Sequence, residues 1–142
     1  MRVACRTLVA VAVVLALAAA CGRAPQGGIV SMTVELDVYS GRPNPTWALS
    51  ADEAVEITGL LENLPGAPSA GEEGLGYRGF VLRSTAPAGA EPEIVRVNAG
   101  VVTRRRGERT AHFADTRGVE ERLLQQARDR GFGAVLDAVR PR

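Results

Sequence analysis

The first 21 residues limit what this chain can use to build a fold. Two arginines, Arg2 and Arg6, precede 14 uncharged residues from Thr7 to Ala20, and Cys21 follows. As a helix that stretch extends about 21 Å, whereas the apolar core of a bilayer takes about 20 residues to cross. The layout is typical of a secretory signal rather than of a permanent membrane span. We therefore predict a signal over residues 1–20, so the fold has to come from the residues after it.

The residues around Cys21 predict a lipid anchor. The ending Leu17-Ala-Ala-Ala-Cys21-Gly22 resembles a bacterial lipoprotein signal, although that pattern usually has Leu, Val or Ile where this chain has Ala18. The resemblance implies that the Cys21 sulfur receives a diacylglycerol and that the chain stays at the extracytoplasmic face of the cell membrane, held by its acyl chains. Simple secretion, with cleavage after the alanine triplet, is the alternative.

Cysteine usage makes packing the source of stability. Of the two cysteines, Cys5 lies in the predicted signal, so Cys21 is the only thiol expected in the exported chain. A lone exposed thiol is a liability in an oxidising compartment, and acylation removes it. Whether Cys21 is acylated or the chain is simply secreted, no internal disulfide is expected in the exported domain. We expect a flexible tether over residues 21–28 and a single domain over residues 29–142.

The charge balance argues against one class of partner. All 17 basic residues are arginine, and 16 acidic residues bring the formal net charge to +1. Loss of Arg2 and Arg6 with the signal leaves 15 arginines against 16 acids, a net charge of −1. A balance this close to zero argues against a nucleic-acid partner. It also argues against attraction to anionic lipid as the main membrane contact.

Hydrophobic periodicity predicts the secondary structure. Apolar residues at positions 32, 34, 36 and 38 alternate with polar ones, which is the best strand pattern of the chain. Ser50 and Glu53 form a capping box that starts a helix, and Pro65-Gly66 stops it. A mobile loop is expected from Pro65 to Gly76. Further strands are predicted at residues 76–84, 94–97 and 101–104, with a candidate final strand at 111–113. A closing helix is expected after Asp115 or Thr116, with Val119, Leu123, Leu124 and Ala127 as its apolar stripe and a candidate short helix over residues 135–139.

These elements give the order β-α-β-β-β-α. We predict an α+β domain in which two helices pack on one face of a small antiparallel sheet. This arrangement buries the apolar faces of both kinds of element. The other face of such a sheet tolerates mixed polarity.

Two stretches of the chain stand out from the rest. Residues 40–47 read Ser-Gly-Arg-Pro-Asn-Pro-Thr-Trp, and residues 76–80 read Gly-Tyr-Arg-Gly-Phe. On these two motifs the chain resembles a group of functionally uncharacterised bacterial secreted proteins and lipoproteins, over roughly Val34 to Leu124. The resemblance implies a shared small domain. It supplies no activity and no catalytic residues.

The first motif has two interpretations. In the structural one, Trp47 caps the core, and Arg42 pairs with Asp37 or caps a helix. In the functional one, a proline-stiffened loop presents a recognition surface. Aromatic and arginine side chains on a rigid loop lose little entropy on binding and are enriched in binding hot spots. The binding residues of that hypothesis are Tyr39, Arg42, Asn44 and Trp47.

A second candidate binding element is the basic stretch Arg104, Arg105 and Arg106, which continues through Gly107-Glu108 to Arg109 and is expected to form a turn. Its guanidinium groups are suited to phosphate or carboxylate ligands, such as an anionic polymer of the envelope. A solvated charge run is the alternative, since Glu108 dilutes the positive charge.

Little in the sequence points to catalysis. His112 is the only histidine, and no cysteine pair or second histidine accompanies it, so we expect neither a metal site nor a cofactor. No glycine pattern typical of phosphate or dinucleotide binding is present. The alternative function is an extracytoplasmic hydrolase that uses His112 or Asp37 with a loop acid.

The first expectation is therefore a membrane-anchored, non-catalytic binding or structural module of the bacterial envelope. Its partner is expected to be an envelope protein or polymer.

Overall fold

The computed structural model describes residues 31–71, 76–85, 89 and 91–140. The predicted signal, Cys21 and the tether lie outside these residues. The elements are six strands and three α-helices: β1 Met32–Leu36, β2 Thr46–Ala48, α1 Ala51–Leu61, β3 Phe80–Ser84, β4 Glu93–Asn98, β5 Val101–Arg106, β6 Arg109–Ala114, α2 Val119–Ala127 and α3 Gly133–Val139. A wider helical turn, Arg128–Phe132, joins α2 to α3. No helix among the described residues is long and apolar enough to cross a bilayer.

The predicted α+β class is confirmed, and the sheet is larger than expected. Its strands run in the order β2-β1-β3-β4-β5-β6, and every neighbouring pair is antiparallel. Of the two strands beyond the predicted order, β6 corresponds to the candidate final strand at residues 111–113, and β2 has no counterpart in the prediction. Strand β2 escaped prediction because Pro43 and Pro45 break the pattern. Proline still has a carbonyl acceptor, and the Leu36 amide donates to the Pro45 oxygen at 2.9 Å.

The core lies between one face of the sheet and the helices. Val34 pairs with Leu82 and Leu82 with Val95, so alternate residues of adjacent strands point to the same side. These residues are buried together with Ile57, Leu123 and Leu136 from the three helices. All three helices therefore pack on one face of the sheet, as predicted for the helical layer.

The opposite side is called here the open face. It carries the other alternate residues of the strands, and in the described part of the chain no helix covers it. Its side chains include Thr33, Glu35, Val81, Arg83, Ile94, Arg96, Thr103, Arg105, Thr110 and His112.

The first helix begins as predicted but ends earlier. The Ser50 hydroxyl accepts from the Glu53 amide at 3.2 Å, and the Glu53 carboxylate accepts from the Ser50 amide at 2.8 Å, which confirms the capping box. The helix ends at Leu61 rather than Leu64, because Glu62 is extended.

The expected mobile loop after α1 starts as an ordered segment instead. The Ala67 amide donates to the His112 carbonyl at 2.9 Å, and the Ala114 amide donates to the Pro65 carbonyl at 2.8 Å. This segment therefore covers part of the outer edge of β6.

The closing helix begins at Val119 and has the predicted stripe. Gly118 is the N-cap residue of α2, and the Asp115 carboxylate supports the first turn by accepting from the amides of Val119 and Glu120, each at 2.8 Å. The predicted apolar stripe is buried. Gly131, at φ 87°, then turns the chain into the short helix α3.

Candidate functional site

The two conspicuous motifs lie side by side in the fold. The Asp37 amide donates to the Gly79 carbonyl at 3.0 Å, and the Arg78 amide donates to the Asp37 carbonyl at 2.9 Å. The end of β1, which leads into the first motif, is thus bonded to the strand-like segment that contains the second. Stretches almost 40 residues apart in the chain therefore form one local structure.

Asn44 fixes the corner that the first motif makes. Its side-chain oxygen accepts from the amides of Val38 and Tyr39, at 3.1 and 2.8 Å. Its side-chain nitrogen donates to Glu35 at 2.8 Å and to Asp37 at 3.2 Å. One amide group therefore satisfies two backbone donors of the corner and also orients two acids, Glu35 of β1 and Asp37 directly after it.

Three arginines complete this arrangement. The Arg78 guanidinium donates to the Asp37 carboxylate and, at 2.8 Å, to the Tyr39 carbonyl. Arg96 donates to the second Asp37 oxygen at 3.0 Å, and Arg83 donates to Glu35 at 2.6 Å. These side chains, at the β1 side of the open face, are called here the open-face cluster: Glu35, Asp37, Asn44, Arg78, Arg83 and Arg96.

The electrostatics of the cluster keep both acids ionised. Hydrogen bonds from Asn44 and Arg83 lower the pKa of Glu35 below its usual value. Burial raises the pKa of Asp37, but hydrogen bonds from Arg78 and Arg96 outweigh burial and the net shift is downward. A carboxyl group that serves as a general acid needs a raised pKa. The cluster is therefore built to hold charge in place rather than to deliver a proton.

The structure places Arg42 differently from the prediction. Arg42 does not pair with Asp37, because Arg78 and Arg96 already occupy both oxygens of that carboxylate. Its guanidinium instead stacks over the Tyr39 ring, 3.5 Å from the centroid. Arg42 is exposed and Tyr39 is half-buried.

Trp47 belongs to the core, on the side away from the open face. Its ring stacks on Phe132 with a centroid distance of 5.8 Å and meets Phe80 edge-on at 6.2 Å. With 9% of its surface exposed, it cannot share a recognition surface with Arg42. The position matches the structural interpretation of the motif.

The three consecutive arginines do not form a common site either. They lie in strand β5 rather than in the turn, so their side chains alternate between the two faces. Arg104 forms two hydrogen bonds with Glu93, at 3.1 and 2.9 Å, and Arg106 approaches the same carboxylate at 3.5 Å on the helix side. Arg105 alone points to the open face.

His112 and Asp37 are not brought together. The cross-strand row on the open face runs from Glu35 through Val81, Arg96 and Thr103 to His112. Four strand spacings separate its two ends, which is about 19 Å. The nearer acid in sequence, Asp115, is occupied by the first turn of α2. Among the described residues, the His112 side chain makes its one polar contact with the Thr103 hydroxyl, at 3.0 Å.

Metal sites and ligand clefts are two other places where a protein carries out chemistry. No group of three or more His, Cys, Asp or Glu side chains in the described ranges is arranged to hold a metal ion. A cleft of about 150 Å³ lies between α1 and the sheet. Met32, Leu61, Leu82 and Val95 contribute apolar surface to it, and Glu93 and Arg104 are among its polar lining residues. Neither His112 nor Asp37 lines this cleft.

Sequence reasoning missed most of the cluster. Of its members, Asn44 and Asp37 are named as candidate residues from the sequence and Arg78 enters only as part of the second motif, whereas Glu35, Arg83 and Arg96 are not predicted. The alternation in β1 contained a usable signal, since it places Glu35 and Asp37 on the same polar face.

Comparison of the chain with protein-family models, curated proteins and solved structures gives no match.

Proposed function

We propose that this chain is a non-catalytic binding module of the bacterial envelope, held at the membrane by an acylated Cys21, and that the open face of its sheet contacts the partner. On this proposal it is one of the bacterial secreted proteins and lipoproteins that carry the two motifs.

One observation supports the binding role above the others. The helices pack on one side of the sheet, while the open face has its polar side chains already held in position by hydrogen bonds. A surface of ordered side chains loses less entropy when it binds than a flexible one does. The open-face cluster therefore favours recognition.

The anchor is tested separately from the binding face. Metabolic labelling with a fatty acid should transfer label to the wild-type chain and not to Cys21→Ser. The variant should also leave the membrane fraction. A Cys21→Ser variant that fractionates like wild type would contradict the anchor.

The binding face is tested by photo-cross-linking in cells. A photoreactive residue at Thr110, exposed on the open face, is compared with one at Val55, which is 73% exposed on α1. We expect a discrete cross-linked envelope species from position 110 and none from position 55. Equal cross-linking from both positions, or from position 55 alone, would contradict the assignment of the open face.

A further inference from the structure

We infer that the partner recognised by the open face is a phosphate-bearing linear polymer of the envelope, and that Arg105, Thr110 and His112 contact it. This inference rests on the proposed function and names the chemistry of its partner. It begins from the far side of the open face, at strands β5 and β6.

Four side chains form a rectangle there, called here the β5–β6 quartet: Thr103, Arg105, Thr110 and His112. Arg105 is the direct cross-strand partner of Thr110, and Thr103 is that of His112. Direct partners lie about 5 Å apart, and positions two apart along a strand about 7 Å. The quartet is therefore small enough for one ligand group to contact several members.

The quartet offers donors and no carboxylate. Arg105 has five N–H groups and forms no ion pair with another residue in the described part of the chain. Thr110 contributes an exposed hydroxyl. When the Thr103 hydroxyl donates to Nδ1 of His112, the ring proton lies on Nε2, which then donates away from Thr103.

The charge of the open face is positive. Among its described residues, counted together with the cluster, four arginines stand against two acids, which leaves a formal charge of +2. Both acids, Glu35 and Asp37, belong to the β1 side and are each bonded to arginine. Three strand spacings, about 14 Å, separate β1 from β5. Arg105 is therefore not paired with either acid of the open-face cluster.

The geometry favours phosphate over carboxylate. A planar carboxylate is satisfied by one guanidinium, whereas a phosphate group has several acceptor oxygens that point in different directions. The donors of Arg105, Thr110 and His112 come from separate corners of the rectangle, which suits the tetrahedral group. Arg83 lies two strand spacings from Arg105 in the same row, about 10 Å away, so a repeating phosphate chain can continue across the strands.

The test uses the full chain in a neutral detergent and fluorescently labelled inorganic polyphosphate. Arg105→Gln is compared with Arg109→Gln, which removes the same charge from a neighbouring exposed position. Arg109 is the cross-strand partner of Arg106 and therefore lies on the helix side. Binding is measured by fluorescence anisotropy over a range of salt concentrations, with polyglutamate as a carboxylate polymer, and the unfolding midpoints of the variants are compared.

We expect the wild-type Kd to rise steeply with salt. Arg105→Gln should raise Kd about tenfold, as for loss of a charged hydrogen bond. Arg109→Gln should leave Kd within about twofold, since Arg109 lies on the opposite side of the sheet and an exposed charge there contributes little. No binding of polyphosphate, equal weakening by both variants, or equal affinity for polyglutamate would overturn the inference. If one of these results is obtained but position 110 still cross-links to a partner, the proposed function is retained and only the assignment of a phosphate polymer as the partner is wrong.

Discussion

Arg78 of the second motif is joined through both backbone and side chain to Asp37, which lies three residues before the first motif. The Arg78 amide donates to the Asp37 carbonyl at 2.9 Å, and its guanidinium donates to the Asp37 carboxylate. The same guanidinium reaches the Tyr39 carbonyl at 2.8 Å. Each motif therefore depends on the other for its local geometry.

Asn44→Ala is expected to destabilise the fold by about 2–3 kcal/mol, because two part-buried backbone amides lose their acceptor. Urea unfolding monitored by circular dichroism measures this change. Thr46→Ala is the matched control, since its hydroxyl makes one exposed hydrogen bond at 3.3 Å, and its effect should stay within about 0.5 kcal/mol. Equal effects of the two substitutions would contradict the role given to Asn44.

Gly79→Ala should be among the most damaging small substitutions. A Cβ at position 79 would lie 2.1 Å from the Val97 carbonyl oxygen, and the residue has φ 88°. The loss of stability should exceed about 3 kcal/mol.

Gly59→Ala is the opposite case and serves as the control. A Cβ there meets nothing within 4 Å, and the residue lies inside α1. Alanine should stabilise the protein by about 0.5–1 kcal/mol. Thermal melts of both variants test the pair, and a mild effect of Gly79→Ala would show that the strand pair can separate at that point.

Trp47→Ala should cost about 3–5 kcal/mol, because it removes a large side chain packed between Phe80 and Phe132. The measurement is the cooperativity and midpoint of unfolding by circular dichroism. Val55→Ala, at the exposed position on α1, should change stability by less than about 0.5 kcal/mol. An unfolding midpoint of Trp47→Ala equal to that of wild type would contradict the core role of Trp47 and favour a role at the surface.

Acid should weaken the fold through the open-face cluster. The pKa values of Glu35 and Asp37 are lowered in the folded state. The unfolded state therefore binds more protons as the pH falls below about 4.5, and stability decreases toward lower pH. In Asp37→Asn, the deficit relative to wild type should be largest near neutral pH and should shrink in acid, where wild-type Asp37 is protonated too. A deficit that does not depend on pH would show that the charge of Asp37 is irrelevant.

Tyr77→Phe tests the support of the β4–β5 turn. The Tyr77 hydroxyl donates to Glu120 at 2.7 Å, and the other oxygen of that carboxylate accepts from the Gly100 amide at 3.0 Å. Burial, followed by the nearby Glu120 charge, raises the pKa of Tyr77, so the phenol stays protonated at neutral pH. Loss of its hydrogen bond should cost about 1–2 kcal/mol. Amide hydrogen exchange should rise at Gly100 in particular; a uniform rise would contradict this local role.

Local patterns predicted the elements, and nonlocal pairing decided the site. The alternation in β1, the capping box at Ser50 and the support of α2 by Asp115 act within a few residues, so the sequence alone was enough to find them. The partners of Glu35 and Asp37 are arginines 41 to 59 positions away. Their meeting depends on the register between strands, which no local pattern specifies.

The arginine stretch shows the same limit on a smaller scale. Placed in a turn, three consecutive guanidinium groups look like one cluster. In a strand, successive side chains point to opposite faces of the sheet. Arg105 therefore lies on the open face, whereas Arg104 and Arg106 lie on the helix side. The error in element type, not in residue choice, produced the wrong grouping.

The strand order has a consequence for how such a chain acquires its structure. Four of the five neighbouring strand pairs are consecutive in the sequence, so most of the sheet can form from hairpins closed by short connections. Only β1 and β3 are sheet neighbours with other elements, β2 and α1, between them in the chain. For a polypeptide delivered unfolded across a membrane, as in the proposed function, pairing between strands that are mostly consecutive should leave only one long loop to close before the sheet is complete.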